Sequence, residues 1–327
     1  MVTTASDAPS IVSGLPSPLR VLLRSPLLAV AGSALGVLIL VHSVDLARAG
    51  SGLRHADADL VALGLGLTGV GILSTVLGWG VLLRGIGHPI SWRLLTSWYL
   101  QALFVGHVAP SGAAGDAVRV LRVGRVAGHG RALASLATTR MASARGAALF
   151  GLAGAILLHS AFGVPVLVGA AGYVVSMIGA CVLAFQAHAA TRFLQRRSSP
   201  LCHRAARWFA PATESFEALR RNPSVLVQCL AIHIAGWAVN LIALQLFASA
   251  VGINAGWSVF AVAVPFSLLA ASVPLAVRGI GIREGVLVGM LAHLGIDPGH
   301  AIALAILLDL QLLPFALLGG ALVWTRR

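Results

Sequence analysis

The stretch VPLAVRGIGIREG, Val273 to Gly285, sets two arginines and a glutamate among glycines, directly behind a proline, in one of the most apolar regions of the chain. A charge at the centre of a bilayer costs about 2.5 to 3.5 kcal/mol on insertion scales, so charges that serve nothing are rare there. Whether this stretch is a break inside the membrane or a turn outside it decides the fold. The rest of the sequence bears on that choice.

Hydrophobic residues make up 58% of the chain and charged ones 10%. The mean hydropathy is +0.91, which marks an all-α polytopic membrane protein. Runs of the roughly twenty apolar residues that a spanning helix needs occur at Leu27 to Ala47, Leu60 to Leu83, Ala132 to Leu158, Val164 to Gln186, Ser224 to Val251 and Ala301 to Trp324. The formal charge of +13 rests on arginine, since the sequence has no lysine. Basic charge of this kind orients a membrane protein, and nucleic acid is not an expected partner. Cys181, Cys202 and Cys229 form no CxxC pair and no spaced His/Cys set, so neither a metal site nor a disulfide framework is expected. No cofactor is expected either.

Residues 1–26 are polar and read as a cytoplasmic tail, with 27–327 a single transmembrane domain. No cleavage site follows a short apolar core, so the first run is expected to be a retained anchor. The arginine bias of short loops sets the orientation. The loop from Asp45 to Asp59 falls outside, while the turn around Arg84, His88 and Arg93, the basic loop at 188–223 and the closing Arg326-Arg327 fall inside.

That scheme fails if Leu94 to Val108 crosses fully, because Arg119, Arg122, Arg125 and Arg131 would then lie outside. A re-entrant hairpin avoids the conflict: in through Leu95 to Gly106, a turn at HVAPSGAAG, and back through Asp116 to Val123. In the second half, Trp257 to Val273 and the short arm Gly285 to Leu294 form a second hairpin from the opposite side, broken at Pro274 to Gly285. The expected fold is about six transmembrane helices plus two opposed re-entrant hairpins, an inverted repeat of the kind transporters use. Eight ordinary spans is the alternative.

The blocks APSGAAGDAVR (Ala109 to Arg119), TTR (Thr138 to Arg140) and PLAVRGIGIREG (Pro274 to Gly285), followed by GIDPGHAIAL, occur in that order. Together they resemble the lysylphosphatidylglycerol synthase transmembrane-region family, also called flippase-like integral membrane proteins, from about Arg20 to the C-terminus. The resemblance implies movement of an anionic lipid or lipid-linked headgroup between leaflets of a bacterial inner membrane. Aminoacyl transfer belongs to a separate soluble domain of the full-length synthases, which this chain, ending at Arg327, is expected to lack, so it is expected not to be an enzyme. Departures from the pattern are Ala114-Gly115 for a double glycine, Thr139 for an acid before Arg140, and Arg278 for a small residue.

By this placement Arg119, Arg140, Arg145, Arg278 and Arg283 face at most Asp116, Glu284 and Asp309, an excess that needs an anion or water. Broken helices add N–H groups and a positive dipole end. Pro110, Gly112, Gly115 and Pro274 are the expected hinge positions, and Gly279, Gly281 and Gly285 allow close backbone approach. In the expected substrate site Arg278 and Arg283 hold a phosphate and Glu284 orients Arg283. Asp116 and Arg119, three apart on one helical face, are the counterpart in the first hairpin, and Arg140 completes the site.

Plainer readings stand beside this one. Glu284 with Arg283 or Arg140 could be a structural ion pair, and Gly279 to Gly285 could be a cytoplasmic turn. Arg122 and Arg125 suit an interfacial face, and His107, His159, His233 and His293 suit local hydrogen bonds. Asp309 suits either proton coupling or helix packing. A translocase requires a polar cavity at mid-depth, a polyprenyl-phosphate transferase requires placed acids, and a non-transporting accessory protein of envelope biogenesis requires fully paired charges with no cavity. The identity of the lipid and the oligomeric state stay open.

Overall fold

In a computed structural model of the chain, residues 53–108, 114–164, 166–175, 178–179, 213–214, 216–271 and 281–324 are described. Outside them lie the tail 1–26, the expected span Leu27 to Ala47, most of the loop 188–223, Arg326-Arg327, and the break residues Pro110, Gly112, Pro274, Arg278 and Gly279. Among the described residues every regular element is helical. Apart from the one-turn helix His159–Phe162, the main helices are α1 Ala58–Gly85, α2 Trp92–Val108, α3 Ala114–Ala127, α4 His129–Leu157, α5 Val166–Val175, α6 Pro223–Ala250, α7 Trp257–Ala271, α8 Ile282–His293, α9 Pro298–Leu310 and α10 Leu313–Trp324.

Among the described residues three segments are long and apolar enough to cross a membrane: α1, α6 and the α9–α10 stretch Pro298–Val323. At 28 residues each, α1 and α6 reach about 42 Å, beyond the roughly 30 Å hydrocarbon core. The Asp57 carboxylate caps α1 by accepting from the amides of Asp59 and Leu60 at 2.9 and 3.2 Å. Asp297 caps α9 in the same way through Gly299 and His300.

The most extensive helix pair is α1 with α6, and its chemistry is written in α1. Gly64, Gly71, Gly78 and Gly85 recur every seventh residue and face Phe247, Asn240, His233 and Val225 in turn. The partners run backwards along α6, so the pair is antiparallel. A seven-residue repeat keeps one seam facing its partner over the full length, and missing side chains let the backbones approach. A Cβ at Gly64 would lie 2.7 Å from the Phe247 ring and one at Gly85 would lie 2.5 Å from Val225, so no larger residue fits. Leu63, Val70, Leu73 and Leu77 stay exposed beside that seam.

The other helices use the same device. Gly146 of α4 receives Trp237 of α6, a Cβ on Gly154 would lie 2.7 Å from the Ser258 carbonyl of α7, and Gly319 and Gly320 of α10 receive Leu100 and Phe104 of α2. In the pair α2–α3 a Cβ on Gly115 would meet the Ala102 carbonyl at 2.6 Å. Helices α2, α3, α7 and α8 have 17, 14, 15 and 12 residues, which is about 18 to 26 Å. The corner from α3 into α4 is Gly128 at φ +88°, a backbone region open chiefly to glycine.

One expectation changes. Ala301 to Trp324, read as a single run, is two helices joined at Gln311-Leu312. Pro314 has no N–H to offer the turn before it, which interrupts the ladder there. Gln311 closes α9 through its amide on the Leu307 carbonyl at 2.8 Å, and its side-chain oxygen accepts from the Thr68 hydroxyl of α1 at 2.9 Å.

Replacing Gly78 with leucine should therefore cost about 1 to 3 kcal/mol through overpacking against His233. Gly66→Ala, on the same helix with nothing within 4 Å of its Cβ, should be neutral or slightly stabilising. Thermal unfolding of both variants in detergent checks the contrast: equal melting temperatures would mean the glycine seam does not hold the pair together.

Candidate functional site

The first charged cluster joins α3 to α4. Asp116 stands in the first turn of α3, where a carboxylate suits the exposed amides and the helix dipole. Its Oδ2 accepts from Arg140 Nη2 on α4 at 2.7 Å, and its Oδ1 lies 3.6 Å from Arg119 Nη1 one turn further on. The two arginines differ sharply in setting, with side-chain exposures of 64% for Arg140 and 6% for Arg119. The Arg119 guanidinium lies 4.5 Å from the Trp79 ring and 5.3 Å from the Tyr99 ring. Its Nε and Nη2 have no hydrogen-bond partner among the described residues. A cavity of about 220 Å³ opens beside it, walled by Tyr99, His107, Gly115, Asp116, Arg119 and Arg140.

The second cluster joins α8 to α9. Gly281, at φ +86°, is the N-cap of α8. Its amide donates to Glu284 Oε2 at 2.6 Å, while Glu284 Oε1 accepts from Arg283 Nε at 2.9 Å. Arg283 Nη2 in turn bonds Asp309 on α9. Glu284 is buried, so one carboxylate both closes the helix start and fixes the arginine beside it.

The two clusters correspond in position and differ in sign. In each, the first turn of the second arm of a broken pair is tied to the following helix: Asp116 to Arg140, and Arg283 to Asp309. The first cluster holds two arginines and one acid, the second one arginine and two acids.

Between the clusters lies a cavity of about 270 Å³. Its walls include Thr68, Gly71 and Thr75 in the central turns of α1, Asn240 of α6, Ser267 of α7 and Arg283 of α8. Tyr99 borders this cavity and the smaller one alike.

Of the residues expected from sequence, Asp116, Arg119 and Arg140 come together, as do Arg283 and Glu284. Gly115 is a packing contact between α2 and α3, Gly281 is a cap, and Gly285 faces open space. Pro110, Gly112, Pro274, Arg278 and Gly279 lie outside the described residues. His107 and His233 each set Nδ1 on the carbonyl four residues before, at 2.8 Å. Sequence reasoning passed over Trp79, Tyr99, Trp237, Asn240 and Gln311, which are aromatic or neutral and sit inside apolar runs. An amide at the middle of a span was the available signal for Asn240.

A search of the curated proteins found no match to the chain. Among protein families, residues 27–320 match the one described as Lysylphosphatidylglycerol synthase TM region. That range takes in both broken helix pairs and both charged clusters, so this multi-pass membrane protein belongs to the lysylphosphatidylglycerol synthase transmembrane-region family.

Proposed function

We propose that the protein is a translocase rather than an enzyme: it seats the phosphate of an anionic phospholipid or lipid-linked headgroup and moves it between leaflets of the bacterial inner membrane. The observation that carries this reading is Arg119, 5% exposed, beside a cavity, with two nitrogens lacking partners among the described residues. A buried charge left short of hydrogen bonds is costly, and phosphate oxygens meet a guanidinium with charge-assisted bonds. Arg140, exposed and steadied by Asp116, supplies the second cation at the mouth. Family membership supports a lipid as the cargo.

Arg283 borders the larger cavity but is engaged by Glu284 and Asp309. That pairing favours a positioning role for the second cluster, holding α8 against α9 while the headgroup passes. Arms of 12 to 17 residues are short for a full crossing. They favour two re-entrant pairs over full crossings; six spans with both termini cytoplasmic is the arrangement that the arginine bias of the loops favours.

Transfer of a fluorescent anionic phospholipid between leaflets of proteoliposomes, read by chemical reduction of the outer-leaflet probe, tests the phosphate seat. Arg119→Gln should slow transfer by about tenfold or more, the worth of one charge-assisted hydrogen bond, whereas Arg125→Gln on the exposed side of α3 should not change it. Equal rates for wild type and Arg119→Gln would end the proposal.

Topology has its own test. In a variant lacking the native cysteines, Ala114→Cys, at the start of α3, should be protected from an impermeant maleimide applied outside intact cells. Labelling from outside would mean that α2 and α3 each cross fully.

A further inference from the structure

Among the described residues the larger cavity is charged only at Arg283, and that arginine is taken up by two acids. The remainder of its polar wall is neutral. Asn240 lies in the central part of the 28-residue helix α6 and lines the cavity, with its amide oxygen against Gly71. It makes no hydrogen bond among the described residues. Its side chain is exposed, and an amide carries donors and acceptors together, so it can meet either kind of ligand group. The hydroxyls of Thr75 and Ser267 each donate to a carbonyl of their own helix, at 3.1 and 2.8 Å, and the single Thr68 proton is shared between the Gly64 carbonyl and Gln311 Oε1, both at 2.9 Å. What they hold toward the cavity is acceptor capacity.

Trp237 adds an aromatic wall. Its indole N–H is given to Ser143 of α4 at 3.3 Å, so it offers the cavity ring carbon. Tyr99 borders both cavities, and its phenol makes no hydrogen bond among the described residues. At about 270 Å³ the space approaches the roughly 300 Å³ at which small-molecule sites begin.

We infer that this cavity is a second ligand subsite for an uncharged, hydroxyl-rich headgroup, a polyol or sugar carried on the phosphate that Arg119 takes, with Asn240 and Tyr99 reading its hydroxyls. The inference rests on the reading of Arg119 as the phosphate seat and adds the chemistry of what lies beyond that phosphate. Free hydroxyls match a wall that combines amide donors, hydroxyl acceptors and ring carbon. The bridging position of Tyr99 lets one headgroup reach across from the phosphate seat.

Native mass spectrometry of the full chain, with phosphatidylinositol and phosphatidic acid competing at equal amounts, separates the two readings. Both lipids carry the phosphate, and only phosphatidylinositol carries the polyol. Wild type should prefer phosphatidylinositol by about threefold to tenfold, the factor expected of one neutral hydrogen bond. Asn240→Ala should bring the ratio near unity, Tyr99→Phe should lower it part of the way, and Arg119→Gln should lose both lipids. A wild-type ratio of one, or a ratio that neither Asn240→Ala nor Tyr99→Phe moves, overturns the polyol subsite and leaves the phosphate seat standing. Phosphatidylserine competing as well as phosphatidylinositol overturns the hydroxyl chemistry. Wild type retaining neither anionic lipid above phosphatidylcholine overturns both readings.

Discussion

The close antiparallel contact of α1 with α6 is the constraint on which the rest of the structure depends. Lipid tails are as apolar as leucine, so burying apolar side chains does not drive two helices together in a membrane; close van der Waals packing does. Four glycines at seven-residue spacing supply that closeness, and each admits one large or polar side chain of α6. The seam thereby buries His233 and sets Asn240, which stays exposed, against Gly71. Trp79, 1% exposed on α1, bonds Ser135 of α4 through its indole N–H and lies under the Arg119 guanidinium. The seam, the α4 contact and the buried arginine are thus one connected arrangement.

Charge is handled in two ways around this frame. At α8 it is closed off, because Glu284 serves the Gly281 amide and Arg283 at once and Asp309 takes the other side of the same guanidinium. At α3 it is left incomplete: Asp116 divides itself between two arginines, and the more buried of these keeps two donors unused. Two clusters built on the same plan therefore differ in what they can accept, and the cavities between them share a single aromatic residue, Tyr99.

Much of this was legible in the chain. Apolar run lengths located α1, α4, α6 and the α9–α10 stretch, and the proline and glycine blocks fall between α2 and α3 and between α7 and α8. The association of Asp116 with Arg119 followed from helical spacing. The α9–α10 stretch keeps the length of one span, Pro298–Val323, and its interruption at Gln311 is a local effect of Pro314. Thr139 in place of an acid left Arg140 without an evident partner in sequence. In the structure Asp116 fills that place from 24 residues away.

By itself the sequence determined the class of protein, the family and the charged residues set apart in apolar surroundings, because hydropathy, spacing and motif order are properties of the chain alone. Which charges are satisfied, and that Asn240, Tyr99 and Trp237 meet at one cavity, only the tertiary structure decided. Those facts depend on distances between helices far apart in sequence. The glycine repeat of α1 can be read from the chain, but it becomes a contact only when α6 lies antiparallel against it.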